Sequence, residues 1–149
     1  MADYTPVYIQ GQVITLTASA ACKGGDLLVV TGSGTVGPFT PGAVPAANFV
    51  GVANEDTPLN GRVAFYCIGP VHESIADGTV TAGDQVCTAA SANRQVRSFG
   101  LEAVDVGTPV TQAPANLAIN AGLTAMRGII GIALTTATDG NKVRWMLTA

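Results

Sequence analysis

An all-β fold is predicted for this 149-residue chain by three features of its sequence. Thr, Val and Gly recur in almost every segment, which favours strands and tight turns over helices. Turn signals such as Asn60-Gly61 and Asp139-Gly140-Asn141 separate short apolar runs. The chain also repeats itself. Gly51-Val52-Ala53 returns as Gly131-Ile132-Ala133, Val63 as Val143 and Phe65 as Trp145, all at 131 − 51 = 80 positions and without a gap. Upstream, Gly25-Asp26-Leu27-Leu28-Val29 returns as Gly83-Asp84-Gln85-Val86-Cys87, at 83 − 25 = 58. Half of this chain could hardly cover its own apolar face. Two related halves, about 13–70 and 71–149, are therefore expected to pack or close into one compact β-barrel-like domain. The offsets differ by 80 − 58 = 22 residues, an extra connection that falls at about 104–126.

The elements follow in order. Residues 1–12 carry two tyrosines and a proline and have no helical period. Pro6 drives Thr5 toward extended geometry, so an extended N-terminal arm is predicted. Its apolar side chains Tyr4, Val7 and Tyr8 need cover, either from their own domain or from a neighbouring protein that takes the arm as an added strand or anchor. Strands are predicted at 13–17, 27–31, 49–53, 62–68, 85–88, 95–99, 128–134 and 142–147. Lys23-Gly24-Gly25-Asp26 reads as a turn and Gly32-Ser33-Gly34 as a break. Residues 38–42 read as loop. The Ala-rich stretch 115–126 can hold a short helix capped by Asn116, although Gly122 weakens it.

Composition excludes several classes. Charged residues are only 11%, against about 25% in an ordinary domain. The formal net charge is −3 and hydrophobic residues reach 48%, the reverse of a disordered tail. No apolar run approaches the roughly 18 residues of a membrane helix; 44–52 is too short and contains Pro45. No basic segment precedes an apolar run near Met1, so no secretory leader is expected. Seven scattered cations make no nucleic-acid footprint. Low charge fits a surface hidden against other chains, or a surface kept polar by Thr, Ser, Asn and Gln. The odd set Cys22, Cys67 and Cys87 has no CxxC pair and reads as reduced, small buried hydrophobes.

Chemistry-bearing motifs are sparse. The one histidine, His72, stands beside Glu73 and Ser74, but adjacent strand residues point to opposite faces, so no triad is expected. One His and three dispersed Cys supply no metal cluster, and Asp139-Gly140-Asn141 lacks the later ligands of a calcium loop. No glycine cluster has the spacing of a phosphate loop. Asp26 and Asp84 sit where a carboxylate can cap turn amides. Arg94 and Arg97 are expected on opposite faces of a solvated hairpin, with an intersubunit salt bridge as the alternative. Neither catalytic, metal nor cofactor-binding residues are assigned, and the chain is expected not to be an enzyme.

Several ordered fragments resemble the capsid cement, or head-decoration, proteins of tailed bacteriophages. These are Thr17-Ala18-Ser19-Ala20, Gly24-Gly25-Asp26-Leu27, Gly32-Ser33-Gly34-Thr35-Val36 and Val50-Gly51-Val52-Ala53. The match continues through Gly69-Pro70-Val71-His72-Glu73, then residues 78–84, 130–137 and 140–145. The resemblance implies a β-tulip-like fold and a partnership with the major capsid protein. It implies a homotrimer at three-fold positions on the outside of the mature head, assembled in the bacterial cytoplasm and stabilising the shell without nucleic acid, membrane or cofactor. By position alone it makes Ala2, Asp3, Tyr4, Thr5, Pro6, Val7, Tyr8, Ile9 and Gln10 the candidates for capsid contact. The alternative is an adhesive module on the virion that binds glycans or a host surface through Trp145, Tyr66 and Tyr8. Against that, Trp145 alternates with Val143 and Leu147 as a core residue would.

Overall fold

The structure is a computed structural model and describes residue 4 and residues 12–42, 45–100 and 128–148. The expected helix at 115–126 lies outside these residues. Ten strands are present: β1 (Val13–Ala18), β2 (Leu27–Gly32), β3 (Thr35–Pro38), β4 (Phe49–Ala53), β5 (Arg62–Tyr66), β6 (Val71–Ala76), β7 (Gln85–Thr88), β8 (Gln95–Ser98), β9 (Ile129–Ala133) and β10 (Lys142–Leu147). The fold is all-β, as the sequence predicts.

The strands close into two five-stranded barrels, ordered β1-β3-β2-β4-β5 and β10-β6-β8-β7-β9. Read from β6, the second order is the first one shifted by five strands. Each barrel has one parallel pair, β1 with β3 and β6 with β8; its other neighbours run antiparallel. The registers repeat as well. Val52 faces Tyr66 and Ala53 faces Phe65 in one barrel; Ile132 faces Met146 and Ala133 faces Trp145 in the other. The register shift at Leu28/Val29 returns at Val86/Cys87. The isolated bridge Cys22 to Thr57 returns as Val80 to Ala137.

Local chemistry explains the shared corners. Asp26 caps its turn by accepting from the Lys23 amide at 2.8 Å, and Asp84 does the same to Thr81 at 2.9 Å. Each barrel also needs one glycine for close approach. A Cβ on Gly51 would lie 2.2 Å from the Tyr66 carbonyl oxygen, and one on Gly131 2.2 Å from that of Met146. Backbone cannot yield that distance, so only glycine lets β4 meet β5 and β9 meet β10 this closely.

Four expectations change. β3 lies outside the expected strands and ends in the segment read as loop; its four residues, closing in Gly37-Pro38, pair with β2 across a tight turn and with β1. β5 stops at Tyr66 and leaves Ile68 exposed. β6 is a full strand held by the β10 ladder, although its polar residues give a weak strand signal. Arg94 precedes β8 in a turn with φ 68°, so it does not alternate with Arg97 along a strand.

Two cores result. Leu28, Val36, Ala53, Val63 and Phe65 fill the first barrel. A larger cluster fills the second with Val86, Val96, Ile130, Val143, Trp145 and Leu147. That cluster also takes in Leu27, Phe39, Ala46 and Val52 from the first half. The outer wall of the first barrel thus belongs to the core of the second.

Candidate functional site

The seam between the barrels gathers most of the sequence's distinctive side chains. β6 begins there, and inward-pointing His72 is fully buried. Its ring lies 5.2 Å from Trp145, 6.1 Å from Tyr66 and 5.9 Å from Tyr4, stacked on the last at 15°. Tyr4 Oη approaches His72 Nδ1 at 3.1 Å, while the Tyr4 amide donates to the Asn54 carbonyl at 2.7 Å. His72 Nε2 is buried without a hydrogen-bond partner among the described residues. Burial lowers the His72 pKa to about 4, because the charged imidazolium would lose the water that solvates it. Burial likewise pushes the Tyr4 phenol up to about 12, so it keeps its proton and remains a donor.

Polar contacts latch the rim of this seam. Arg94 Nε meets Asp26 Oδ1 at 2.6 Å. The Leu27 amide donates to Asn93 Oδ1 at 2.9 Å, and the Ala46 amide to Thr88 Oγ1 at 3.0 Å. Arg94 therefore bridges the halves of one chain, where the sequence pointed to a solvated hairpin. Its left-handed φ aims the guanidinium at Asp26, and no local pattern announces a contact 68 residues away. The Asp26 carboxylate does double duty, since its other oxygen caps the Lys23 turn.

The remaining singled-out residues are placed as follows. Of the capsid-contact candidates, Tyr4 packs half-buried on its own chain; Ala2, Asp3, Thr5, Pro6, Val7, Tyr8, Ile9 and Gln10 lie outside the described residues. Trp145 is fully buried and donates its indole N–H to Ser74 Oγ at 2.9 Å; Tyr66 is buried too and donates its hydroxyl to Asn54. Neither ring offers a free face for stacking a sugar, and Tyr8 is not described. Glu73 points away from His72 and pairs with Lys142 at 2.7 Å and Arg144 at 3.5 Å, which pulls its carboxyl below the ordinary range. Cys22 and Cys87 are buried and Cys67 is half-buried; burial raises all three thiols, Cys22 to about 11. Among the described residues no three His, Cys, Asp or Glu side chains group as metal ligands.

No protein-family model matches the chain, and no curated protein matches it either. A solved structure does. The head fiber gp8.5 N base of bacteriophage phi29 superposes over 92% of this chain and 93% of its own, with a TM-score of 0.51 and 15% identity. At that identity the likeness concerns the fold. It extends over both barrels.

Proposed function

We propose that this chain is a non-enzymatic structural protein of a tailed-phage head. It sits on the outside of the mature capsid as a homotrimer at three-fold positions and stabilises the shell. The observation that carries this reading is the end-to-end likeness to the base of a phage head fiber. The ordered fragments resembling head-decoration proteins support it independently. Low charge suits a protein whose surface is shared with neighbours, and a net charge of −3 suits a site away from DNA. Contact with the major capsid protein is assigned to the arm, Ala2 to Gln10. Tyr4, seated against His72, anchors that arm to the barrels. An arm that docks as an added strand gains main-chain hydrogen bonds with no need for a dedicated side-chain motif.

The test uses expanded shells of the phage concerned, with and without the protein. Bound protein should appear outside the shell at three-fold positions and should raise the temperature at which shells break. Deleting residues 2–10 should leave a folded protein that no longer docks. Absence of binding, or equal shell stability with and without the protein, would refute the function; docking undiminished by the deletion would refute the arm's role.

A further inference from the structure

Equivalent positions in the two barrels differ sharply in burial. At the end of the second barrel where β6 and β9 begin, the last inward-facing layer is His72, Thr88, Ile130 and Leu147, all buried. The outer wall of the first barrel closes this end. The row Leu27–Val52–Tyr66, paired strand to strand and pointing outward, is buried in that contact. The contact is head-to-tail: the wall of one repeat covers the mouth of the next.

Each surface recurs without its partner among the described residues. The offsets of 58 and 80 carry the mouth of the second barrel onto Ile14 (72 − 58), Val30 (88 − 58), Val50 (130 − 80) and Cys67 (147 − 80) in the first. There Ile14 is 41% and Val30 42% exposed, and Val50 and Cys67 are only half-buried. The same offsets carry the wall onto Gln85, Ile132 and Met146, again a strand-to-strand row. Ile132 is 38% exposed, Gln85 is exposed and Met146 half-buried.

We infer that the open mouth of the first barrel receives the Gln85–Ile132–Met146 wall of a second copy of this chain. The assembly thereby continues between chains the head-to-tail contact that already joins the barrels within one. A heterologous contact either closes into a ring or runs on as a filament. The inference rests on the homotrimer proposed above only for its copy number: three chains would give a ring of six barrels. The intermolecular contact lacks the polar latch. Strand pairing aligns Gln95 with Thr35 and Val96 with Val36, so Ser33 and Gly34 stand where Asn93 and Arg94 stand in the second barrel and offer no guanidinium to Asp84, the counterpart of Asp26. It therefore depends on apolar cover and is weaker than the internal seam.

Cross-linking reads the pairing directly. The rings of Tyr66 and His72 lie 6.1 Å apart, centre to centre, across the internal seam. Their counterparts are Met146 and Ile14, so in a Cys67→Ser background the full-length double variant Ile14→Cys with Met146→Cys should give covalent oligomers with a short bis-maleimide. In the same Cys67→Ser background each single variant, and the chain with neither cysteine added, should give none. In parallel, Ile14→Glu and Ile132→Glu, both at exposed positions, should keep the circular dichroism and melting of the parent. Each should raise the dissociation constant of the oligomer at least tenfold in sedimentation. A trimer that forms without the cross-link and ignores both glutamates overturns the inference and leaves the homotrimer standing. A cross-link from Ile14→Cys alone means mouth-to-mouth pairing and also overturns it. A chain that stays monomeric at every concentration overturns both.

Discussion

The buried, half-partnered imidazole of His72 makes the protein acid-sensitive in a defined window. Its folded-state pKa of about 4 lies below the ordinary 6.5. Between those values the unfolded chain binds a proton that the folded chain refuses, so stability is complete above 6.5 and is lost as pH falls toward 4. At 1.36 kcal/mol per pKa unit the loss amounts to about 3 kcal/mol, a large share of a typical 5–15 kcal/mol domain stability. Among the described residues no carboxylate offsets it: His72 faces the phenols of Tyr4 and Tyr66 and the indole of Trp145, while Glu73 points to Lys142 and Arg144. His72 is the only histidine, so the range from pH 6.5 to 5 isolates it from the carboxylates. The assay is urea unfolding followed by the fluorescence of the single tryptophan, Trp145, at several pH values. The parent should weaken steadily below pH 6.5. His72→Phe, which keeps a ring but cannot titrate, should stay nearly flat down to pH 5. Parallel curves for the two proteins would refute the argument.

Other predictions follow from the same geometry. Gly131→Ala should destabilise the second barrel by about 1–3 kcal/mol or more in urea unfolding, because its Cβ would meet the Met146 carbonyl and Trp145 ring with no room to shift. Gly51→Ala should act likewise on the first barrel. Arg94→Ala leaves Asp26 without its cross-seam partner; with the guanidinium half-exposed, the cost should be about 1 kcal/mol, and added salt should shrink the difference from the parent. Trp145→Phe removes the indole donor from Ser74 and leaves a small void, for a loss of about 1–3 kcal/mol that thermal melting would register.

Much of the strand content was legible because period-2 patterns and turn chemistry are local. The Asp26 and Asp84 caps, and Trp145 as core alternating with Val143 and Leu147, needed only neighbours in sequence. β3 and β6 were less visible, since a four-residue strand ending in Gly-Pro shows little apolar alternation and a strand spelled His-Glu-Ser is held by β10, far along the chain. The seam was not legible at all. Nothing near His72 announces that Tyr4 and Tyr66 will cover it, and nothing near Arg94 names Asp26.

The repeat shows where sequence stops and tertiary structure begins. Offsets of 58 and 80 were visible in the residues, and strand pairing follows the same offsets, because matching turns and apolar alternation dictate matching ladders. They did not reveal that the halves close separately into two barrels, nor that these stack wall-to-mouth. Leu27 and Gln85 occupy one position in the repeat, yet one is buried and the other exposed. The alternation of a strand assigns each side chain to the inside or the outside of its barrel. Which part of an outer wall is hidden depends on what packs against it, and that contact is set only when both barrels have formed.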